Sequence, residues 1–305
     1  MKELGLAALQ WYVRHFPISK GKGRLVSWLW KPLSSGNWQR QTVLRQADVQ
    51  VVCDLSRFIQ RHLYFWGGYE EENCAHWIRL ARESRIIFDV GANVGLYSLL
   101  AGSVNPQSKV YAFEPTLEVT AILQGNIELN GMQNISVEPV AVGDSERTGF
   151  LRLCTGSDGS NEGMNYLSRD KRGESDLPVA VVSLDSYCLS HNIEQIDLIK
   201  MDIEGGEYEA LLGARQLLRR QAIGCIFLEM AEWAAKRSGH STYAIKRLLA
   251  DAGYRLFSVG SHGLVPVAME TTARSENVIA SLGRSGDREA RQGSGAMEAG
   301  PWQLP

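Results

Sequence analysis

The segment that decides the fold is Phe88-Asp89-Val90-Gly91-Ala92-Asn93-Val94-Gly95-Leu96-Tyr97-Ser98. It closes an apolar run, Ile86–Val90, that predicts a buried strand, and it leads into a helical stretch predicted over 94–102. Gly91 and Gly95 permit a tight turn, and Asn93 tolerates the left-handed conformation that glycine otherwise supplies. Such a turn brings backbone N–H groups towards a polar ligand at the start of a helix. A plain strand–helix corner would use glycines too, so the turn alone does not establish a binding site.

Carboxylates stand at the carboxyl ends of four of the predicted strands: Asp89, Glu114, Asp144 and Asp202. Ligands of open α/β sheets lie beyond the carboxyl ends of the strands, so the coincidence of four acids there is stronger evidence than any single motif. Asp89 is costly to bury without a partner, and we expect it to meet a donor such as a ligand ammonium group. Glu114 stands where a carboxylate accepts both hydroxyls of a ribose.

The glycine spacing distinguishes two kinds of ligand. Gly91 and Gly95 lack between them the middle glycine that lets dinucleotide enzymes approach a pyrophosphate. This favours an adenosine ligand without a diphosphate. Asp144 is placed to meet an adenine amino group, although a plain turn residue before Ser145 explains it equally well.

The fold predicted from the whole pattern is a doubly wound, mostly parallel α/β sheet with helices on both faces, because short apolar runs alternate with helical stretches. The predicted strands are 86–90, 109–113, 135–142, 197–201, 224–230, 255–259 and 277–282. The predicted helices are 94–102, 117–129, 207–220 and 242–252. Residues 146–185 interrupt this rhythm and predict a hairpin or an insertion near the active face.

Three regions are expected along the chain. Residues 1–45 hold eight of the 32 Lys and Arg residues, one of the 34 acids and four of the eight tryptophans. They predict a basic, Trp-rich cap or lid, with peripheral contact to a membrane surface as the alternative. Residues 46–282 form the globular domain, and residues 283–305, rich in Gly, Ser and charge, predict a disordered tail.

Composition restricts the function classes. The 305 residues are 44% hydrophobic and 22% charged with a net charge of −2, which is typical of a globular protein and gives no case for nucleic-acid binding. The five cysteines form no CxxC pair, so neither a disulfide framework nor a zinc site is expected. No apolar run approaches the roughly 18 residues of a membrane span. No signal-peptide core is apparent, and we predict a cytoplasmic protein.

The sequence resembles the FkbM-type methyltransferase family over roughly residues 60–282. The resemblance is carried by Gly67-Gly68-Tyr69-Glu70, by the segment around Gly91, by Tyr111-Ala112-Phe113-Glu114-Pro115, by Asn126 and Asn130-Gly131, by Ala141-Val142-Gly143-Asp144, by Ser183-Leu184-Asp185, and above all by Asp197-Leu198-Ile199-Lys200-Met201-Asp202-Ile203-Glu204-Gly205-Gly206-Glu207. It implies a class I methyltransferase fold with S-adenosyl-L-methionine as cofactor. It also implies O-methylation of a hydroxyl on a sugar, glycolipid or secondary metabolite, so a small-molecule or glycan acceptor. The residues that would hold the cofactor are Asp89, Gly91, Ala92, Asn93, Gly95, Glu114 and Asp144.

Methyl transfer to a hydroxyl needs an aligned acceptor, a dry site and a general base. We predict Asp202 near the cofactor or acceptor and Glu204 as substrate contact or base, since Ile203 between them puts both on one side if the strand continues. An equally good explanation is that Glu204 and Glu207 only favour the start of the next helix.

Weaker candidates lie further along the chain. Glu229, His240 and His262 are candidate substrate contacts, although a loop histidine is more often a solvated surface residue. No histidine–carboxylate cluster has convincing metal spacing, so no metal is proposed.

Two rival functions remain in view. A nicotinamide-dependent oxidoreductase would carry a GxGxxG turn, which is absent. A non-catalytic nucleotide-binding or scaffolding module would have lost Asp89, Glu114 or Asp202, and all three are present.

Overall fold

The computed structural model describes residues 2–17, 20–34, 36, 38–153, 165–171, 173–260, 263–270 and 275–282. The helices are α1 (Lys2–His15), α2 (Lys22–Ser34), α3 (Phe58–Trp66), α4 (Glu71–Ala81), α5 (Leu96–Val104), α6 (Leu117–Leu129), α7 (Leu184–Ser190), α8 (Glu207–Leu212), α9 (Arg215–Arg219), α10 (Glu232–Arg237) and α11 (Thr242–Asp251). The strands are β1 (Gln39–Val43), β2 (Gln50–Asp54), β3 (Ile86–Val90), β4 (Lys109–Phe113), β5 (Ile135–Glu138), β6 (Ala141–Gly143), β7 (Arg147–Arg152), β8 (Tyr166–Ser168), β9 (Leu177–Ser183), β10 (Ile196–Met201), β11 (Ile223–Met230), β12 (Tyr254–Gly260), β13 (Gly263–Pro266) and β14 (Glu276–Leu282).

An eight-stranded sheet forms the centre of the molecule, in the order β13-β12-β14-β11-β10-β3-β4-β5. The strands from β11 to β5 run parallel, whereas β14 is antiparallel to both β11 and β12. Because β3 lies between β4 and β10, successive connections leave it in opposite directions and open a crevice at its carboxyl end. The sheet confirms the predicted class I methyltransferase architecture.

Alternate residues of β3 belong to two hydrophobic cores, one on each face of the sheet. Ile87 belongs to the core that includes Trp77 of α4 and Leu99 of α5. Phe88 belongs to the core that includes Tyr187 of α7 and Leu249 of α11. Successive side chains of a strand point to opposite faces, so helices cover both faces, as the near-continuous apolar strands predict.

The predicted strand 135–142 is wrong as a single element. It divides into β5, in the main sheet, and β6, in a second sheet of order β6-β9-β7-β8. Pro139 separates them, since proline cannot donate a ladder hydrogen bond, and the N–H of Val140 turns back to the carbonyl of Glu138 at 2.8 Å. The second sheet is the predicted hairpin or insertion near 146–185, extended to include β6.

The predicted helix 207–220 also divides, into α8 and α9, at Gly213. A Cβ at Gly213 would lie 2.1 Å from the carbonyl oxygen of Gly143. The second sheet therefore packs so closely on this turn that a continuous helix bearing a side chain at position 213 would clash with it.

The basic N-terminal region packs on the domain. Its buried side chains, Leu6, Leu9, Val13, Val26 and Trp30, join the same core as Val51 of β2 and Leu63 of α3. The predicted boundary between residues 45 and 46 stays a prediction, and the predicted tail 283–305 lies outside the described residues. Among the helices that the structure describes, none has the length and apolar character needed to cross a membrane.

Candidate active site

A cavity of about 330 Å³ opens at the carboxyl ends of β3, β4 and β10. One wall comes from α3 through Phe58 and Ile59, and another comes from the second sheet through Leu151 and Leu167. Seven of the predicted site residues line the cavity: Gly91, Ala92, Asn93, Glu114, Asp202, Glu204 and Glu229. The crevice of the sheet thus brings together residues that are far apart in the sequence.

The turn after β3 has the backbone geometry that its sequence predicts. The φ angles are +85° at Gly91, +49° at Asn93 and +96° at Gly95, all in the left-handed region. A Cβ at Gly91 would lie 2.0 Å from the carbonyl oxygen of Asp202, so glycine is required there for the loops after β3 and β10 to touch.

Three N–H groups of this turn bond to the end of β4. Those of Gly91 and Ala92 both donate to the carbonyl of Phe113 at 3.0 Å, and that of Asn93 donates to Oε2 of Glu114 at 3.1 Å. These three N–H groups join the turn to the end of β4, and a ligand contact of the N–H groups at the start of α5 stays a prediction. Because three of the turn's donors are already paired, the turn suits a nucleoside better than a pyrophosphate.

Glu114 is held rigidly at the end of β4. Its Oε2 accepts from Asn93, and its Oε1 accepts from the N–H of Thr116 at 2.9 Å. The residue is buried yet lines the cavity. The backbone thereby fixes the orientation of this carboxylate at the edge of the cavity.

A buried charge cluster lies directly under the cavity. Asp89 does not line the cavity: it is 1% exposed, and its Oδ2 accepts from Oγ of Ser98 at 2.6 Å. Its Oδ1 has no hydrogen-bond partner among the described residues. Burial raises the pKa of Asp89, against the opposing charge of Lys200, which is its register neighbour on β10. A ligand ammonium as its partner remains a prediction.

Lys200 links this cluster to the cavity. Its Nζ lies 2.8 Å from Oδ2 of Asp202 and 4.3 Å from the ring centre of Tyr97. Although burial alone would lower the pKa of Lys200, the charges of Asp202, Asp89 and Glu70 raise it above its ordinary value. Lys200 therefore stays protonated, and it orients the Asp202 carboxylate.

Two glutamates with raised pKa values meet beside Asp202. Burial, together with the charges of Asp202 and Glu229, raises the pKa of Glu204 to about 8. Burial and the charge of Asp202 also raise the pKa of Glu229, whose Oε1 accepts from Oγ of Ser275 at 2.9 Å. Carboxyl groups shifted towards neutral pH are suited to general base catalysis.

Asp202 and Glu204 reach the cavity by a turn rather than by strand alternation. β10 ends at Met201, and Glu204 has a φ of +55°, so the expectation of a continuing strand is wrong. Glu207, the first residue of α8, stabilises the turn before the helix. Its Oε1 accepts from the N–H groups of Ile203 and Gly205 at 3.0 and 3.3 Å. Glu204 lines the cavity instead.

The remaining predicted residues lie elsewhere. Gly95 begins α5 and would meet Leu123 if it carried a Cβ. Asp144 forms ion pairs with Arg169 and Arg147 and is not among the cavity residues, so its adenine contact stays a prediction. His240 packs against Tyr208, with ring centres 4.2 Å apart and ring planes tilted by 35°. It is not among the cavity residues, and its substrate contact also stays a prediction. His262 lies outside the described residues.

Sequence reasoning missed three polar groups of this site. Lys200, Tyr97 and Glu70 line the cavity, and the hydroxyl of Tyr97 donates to Oε2 of Glu70 at 2.7 Å. The signal for Lys200 was a charge inside an otherwise apolar strand, the same signal that identified Asp89. Tyr97 and Glu70 lay in the quoted motifs, but nothing local indicated that they face each other.

Comparison with known proteins agrees with this architecture. The model of the family "Methyltransferase FkbM domain" matches residues 89–256. The 2-O-methyltransferase NoeI of Sinorhizobium fredii is 25% identical over 46% of this chain and 62% of its own length. The hexuronic acid methyltransferase AglP of Haloferax volcanii is 24% identical over 56% of the chain and 64% of its length. The 31-O-demethyl-FK506 methyltransferase FkbM of Streptomyces tacrolimicus is 27% identical over 45% of the chain and 62% of its length.

The chain spans less than two thirds of each of these relatives. The family match, in contrast, covers more than half of the chain, from Asp89 into β12. It contains the glycine turn, Glu114 and the Lys200–Glu204 segment, which together build the cavity. This protein therefore belongs to the family of methyltransferases that carry the FkbM domain.

Proposed function

We propose that the protein is an S-adenosyl-L-methionine-dependent O-methyltransferase acting on a hydroxyl of a sugar, glycolipid or secondary metabolite. The observation that carries the proposal is one cavity in which Glu114 and the Gly91 turn lie near carboxylates of raised pKa, Glu204 and Glu229. The names of the relatives support the acceptor class, since they include a 2-O-methyltransferase and a hexuronic acid methyltransferase.

The residues present fit an adenosine cofactor. Glu114 offers a fixed carboxylate to the ribose hydroxyls, and Val90, Phe113 and Val142 supply apolar walls for an adenine ring. Oδ1 of Asp89, which has no hydrogen-bond partner among the described residues, and the carboxylate of Asp202 suit the ammonium group of the methionine end. When bound, S-adenosyl-L-methionine supplies an electrophilic methyl group.

The chain's own residues prepare the acceptor. Glu204, in its carboxylate form, accepts the proton of the acceptor hydroxyl, and Glu229 contacts the same substrate. Lys200 stays cationic and holds Asp202 in place at 2.8 Å. Phe58, Ile59 and Leu167 line the cavity and exclude water. Alignment and proton removal are the two tasks that a hydroxyl acceptor imposes.

Cofactor binding is the decisive test. Calorimetry with S-adenosyl-L-methionine should show binding to the intact protein and roughly 10- to 100-fold weaker binding to Glu114→Ala, the usual loss for hydrogen bonds to a charged group. Glu114→Gln removes the charge but keeps a side-chain oxygen that can accept a hydrogen bond from a backbone N–H group. It therefore separates the effect of losing the charge from the effect of losing the turn structure. Glu118→Ala removes an exposed carboxylate of α6 and should bind normally. Absence of binding to the intact protein would refute the proposed function.

Two further features belong to the proposal. A cytoplasmic location and a peripheral membrane contact through residues 1–45 remain predictions. The basic composition of that region supports the contact.

A further inference from the structure

Large apolar side chains stand in solvent on the two N-terminal helices. Trp28 is 84% exposed, Leu4 is 75% exposed and Trp11 is 61% exposed. Trp28 and Trp11 are the two most exposed tryptophans among the described residues. Apolar groups left in water at this density on neighbouring helices indicate an interaction surface.

The exposed side chains are not needed for the packing of these helices. α1 and α2 run antiparallel: Gly5 faces Leu33, and Nζ of Lys22 donates to the carbonyls of Val13 and Phe16 at 2.6 Å. The inner faces are already filled by the buried residues Leu6, Leu9, Val13, Val26 and Trp30. Trp11 and Trp28 lie within their helices and point away from these inner faces. No other part of the described chain covers either side chain.

The charge around these tryptophans is positive. Arg24 and Lys31 are exposed on α2, and Lys20 is exposed just before α2 begins. The only acid of the two helices, Glu3, is held by Arg40 at 2.7 Å. Indole rings flanked by cations are suited to the headgroup region of an anionic bilayer, where the ring meets the acyl boundary and the cations meet lipid phosphates.

The helical pair lies beside the cavity. The guanidinium of Arg61 on α3 lies 4.6 Å from the ring centre of Trp30 on α2 and 5.9 Å from that of Phe58. Phe58 and its neighbour Ile59 line the cavity. One side chain thus separates the N-terminal helices from the wall of the site.

We propose that the exposed side of the α1–α2 pair, which carries Trp11 and Trp28, docks on an anionic lipid bilayer and brings the cavity close to the membrane surface. Given the proposed function, on which this step rests, the acceptor hydroxyl then belongs to a membrane-anchored molecule.

Vesicle co-sedimentation tests the docking. The full chain is incubated with vesicles of equal parts phosphatidylglycerol and phosphatidylcholine, or of phosphatidylcholine alone. Binding is expected to the anionic vesicles and to weaken as salt is added. The double variant Lys20→Gln/Arg24→Gln should bind about 25-fold more weakly, since each cation contributes roughly fivefold. Lys109→Gln, at the amino end of β4, is the matched control and should bind like the parent.

The aromatic contribution has its own matched pair. Trp11→Ser/Trp28→Ser should lose most binding, whereas Trp233→Ser, which changes a 41% exposed tryptophan on α10, should keep it. Equal binding to both kinds of vesicle, or no effect of either double variant, would overturn the proposal. Sedimentation velocity provides a further test. If the parent forms a dimer and Trp11→Ser/Trp28→Ser is a monomer, the proposal is also overturned, because the surface would then bind a second copy of the chain.

Calorimetry with S-adenosyl-L-methionine on the same variants separates the two proposals. The tryptophan variant should bind the cofactor normally, which also shows that it is folded. Vesicle binding without cofactor binding by the parent refutes the proposed function and leaves the docking surface standing. Cofactor binding without vesicle binding refutes the docking alone.

Discussion

Glu204 has a left-handed backbone conformation, and the charges of Asp202 and Glu229 act on its carboxyl group. This placement makes the protonation of Glu204 sensitive to pH near neutrality. With a pKa of about 8, the base form is lost as the pH falls through that value. Methyl transfer should therefore rise with pH through about 8 and level off above that value. Glu204→Gln should lower kcat by about 10²- to 10⁴-fold and remove this pH dependence. Glu194→Gln, an exposed carboxylate, should leave both unchanged. An unaltered pH profile in Glu204→Gln would exclude Glu204 as the base.

The same shift has a consequence for stability that does not depend on activity. The pKa of Glu204 rises from the ordinary 4.5 to about 8 on folding, so the folded state binds more protons than the unfolded state between those values. Stability then falls as the pH rises through this window. Glu204→Gln removes the penalty, and its Tm relative to the parent should be several degrees higher at pH 9 than at pH 5. A constant Tm difference would contradict the shift.

Single residues show where sequence reasoning stops. Asp89 was identified because an acid in an apolar strand needs a partner, yet its neighbour Lys200 was not assigned to it. The pairing arises because β10 lies directly beside β3 and sets Lys200 opposite Asp89. No local sequence pattern predicts which strands become neighbours in the sheet. A buried charged residue can therefore be identified from the sequence, but its partner on another strand cannot.

Among the secondary-structure elements, the turn after β3 offers the sharpest test of close packing. Gly91→Ala places a Cβ 2.0 Å from a backbone oxygen, at a φ of +85°. We expect a loss of stability of at least about 2 kcal/mol and loss of cofactor binding, measured by urea unfolding and calorimetry. Gly125→Ala is the matched control: position 125 lies inside α6 with open space around it, and alanine there should stabilise the protein by about 0.5–1 kcal/mol. Equal effects of the two substitutions would refute this account.

Element boundaries were predictable where sequence and packing agree. β3, β4 and α6 begin and end at the predicted residues, because an apolar run or a terminal Asn-Gly defines each end. The predicted strand 135–142 failed at Pro139, which the sequence itself contains, whereas the predicted helix 207–220 failed at a contact with the second sheet. The close approach of Gly213 to Gly143 belongs to tertiary structure, and hydrophobic periodicity carries no information about it.

At the scale of the whole molecule, the N-terminal region was expected as a cap or lid, and the structure joins it to the main core. Leu6 and Val26 belong to the same cluster as Ile87 of the central strand. Composition distinguishes residues 1–45 from the rest of the chain by their excess of basic residues. It could not show which of their apolar side chains are buried, since tryptophans occur on both sides: Trp30 is 5% exposed and Trp28 is 84% exposed.

A shared core predicts that the N-terminal helices unfold together with the sheet. Leu6 is 1% exposed and Leu4, two residues away on α1, is 75% exposed, so the two positions form a matched pair. Leu6→Ala should lower the free energy of unfolding by about 2–5 kcal/mol, whereas Leu4→Ala should change it by less than about 0.5 kcal/mol. In calorimetry the parent and both variants should show one transition, and Leu6→Ala should move all of it to lower temperature. A second transition that alone responds to Leu6→Ala would instead mean that α1 and α2 form a separate unit, hinged on the methyltransferase domain like a lid.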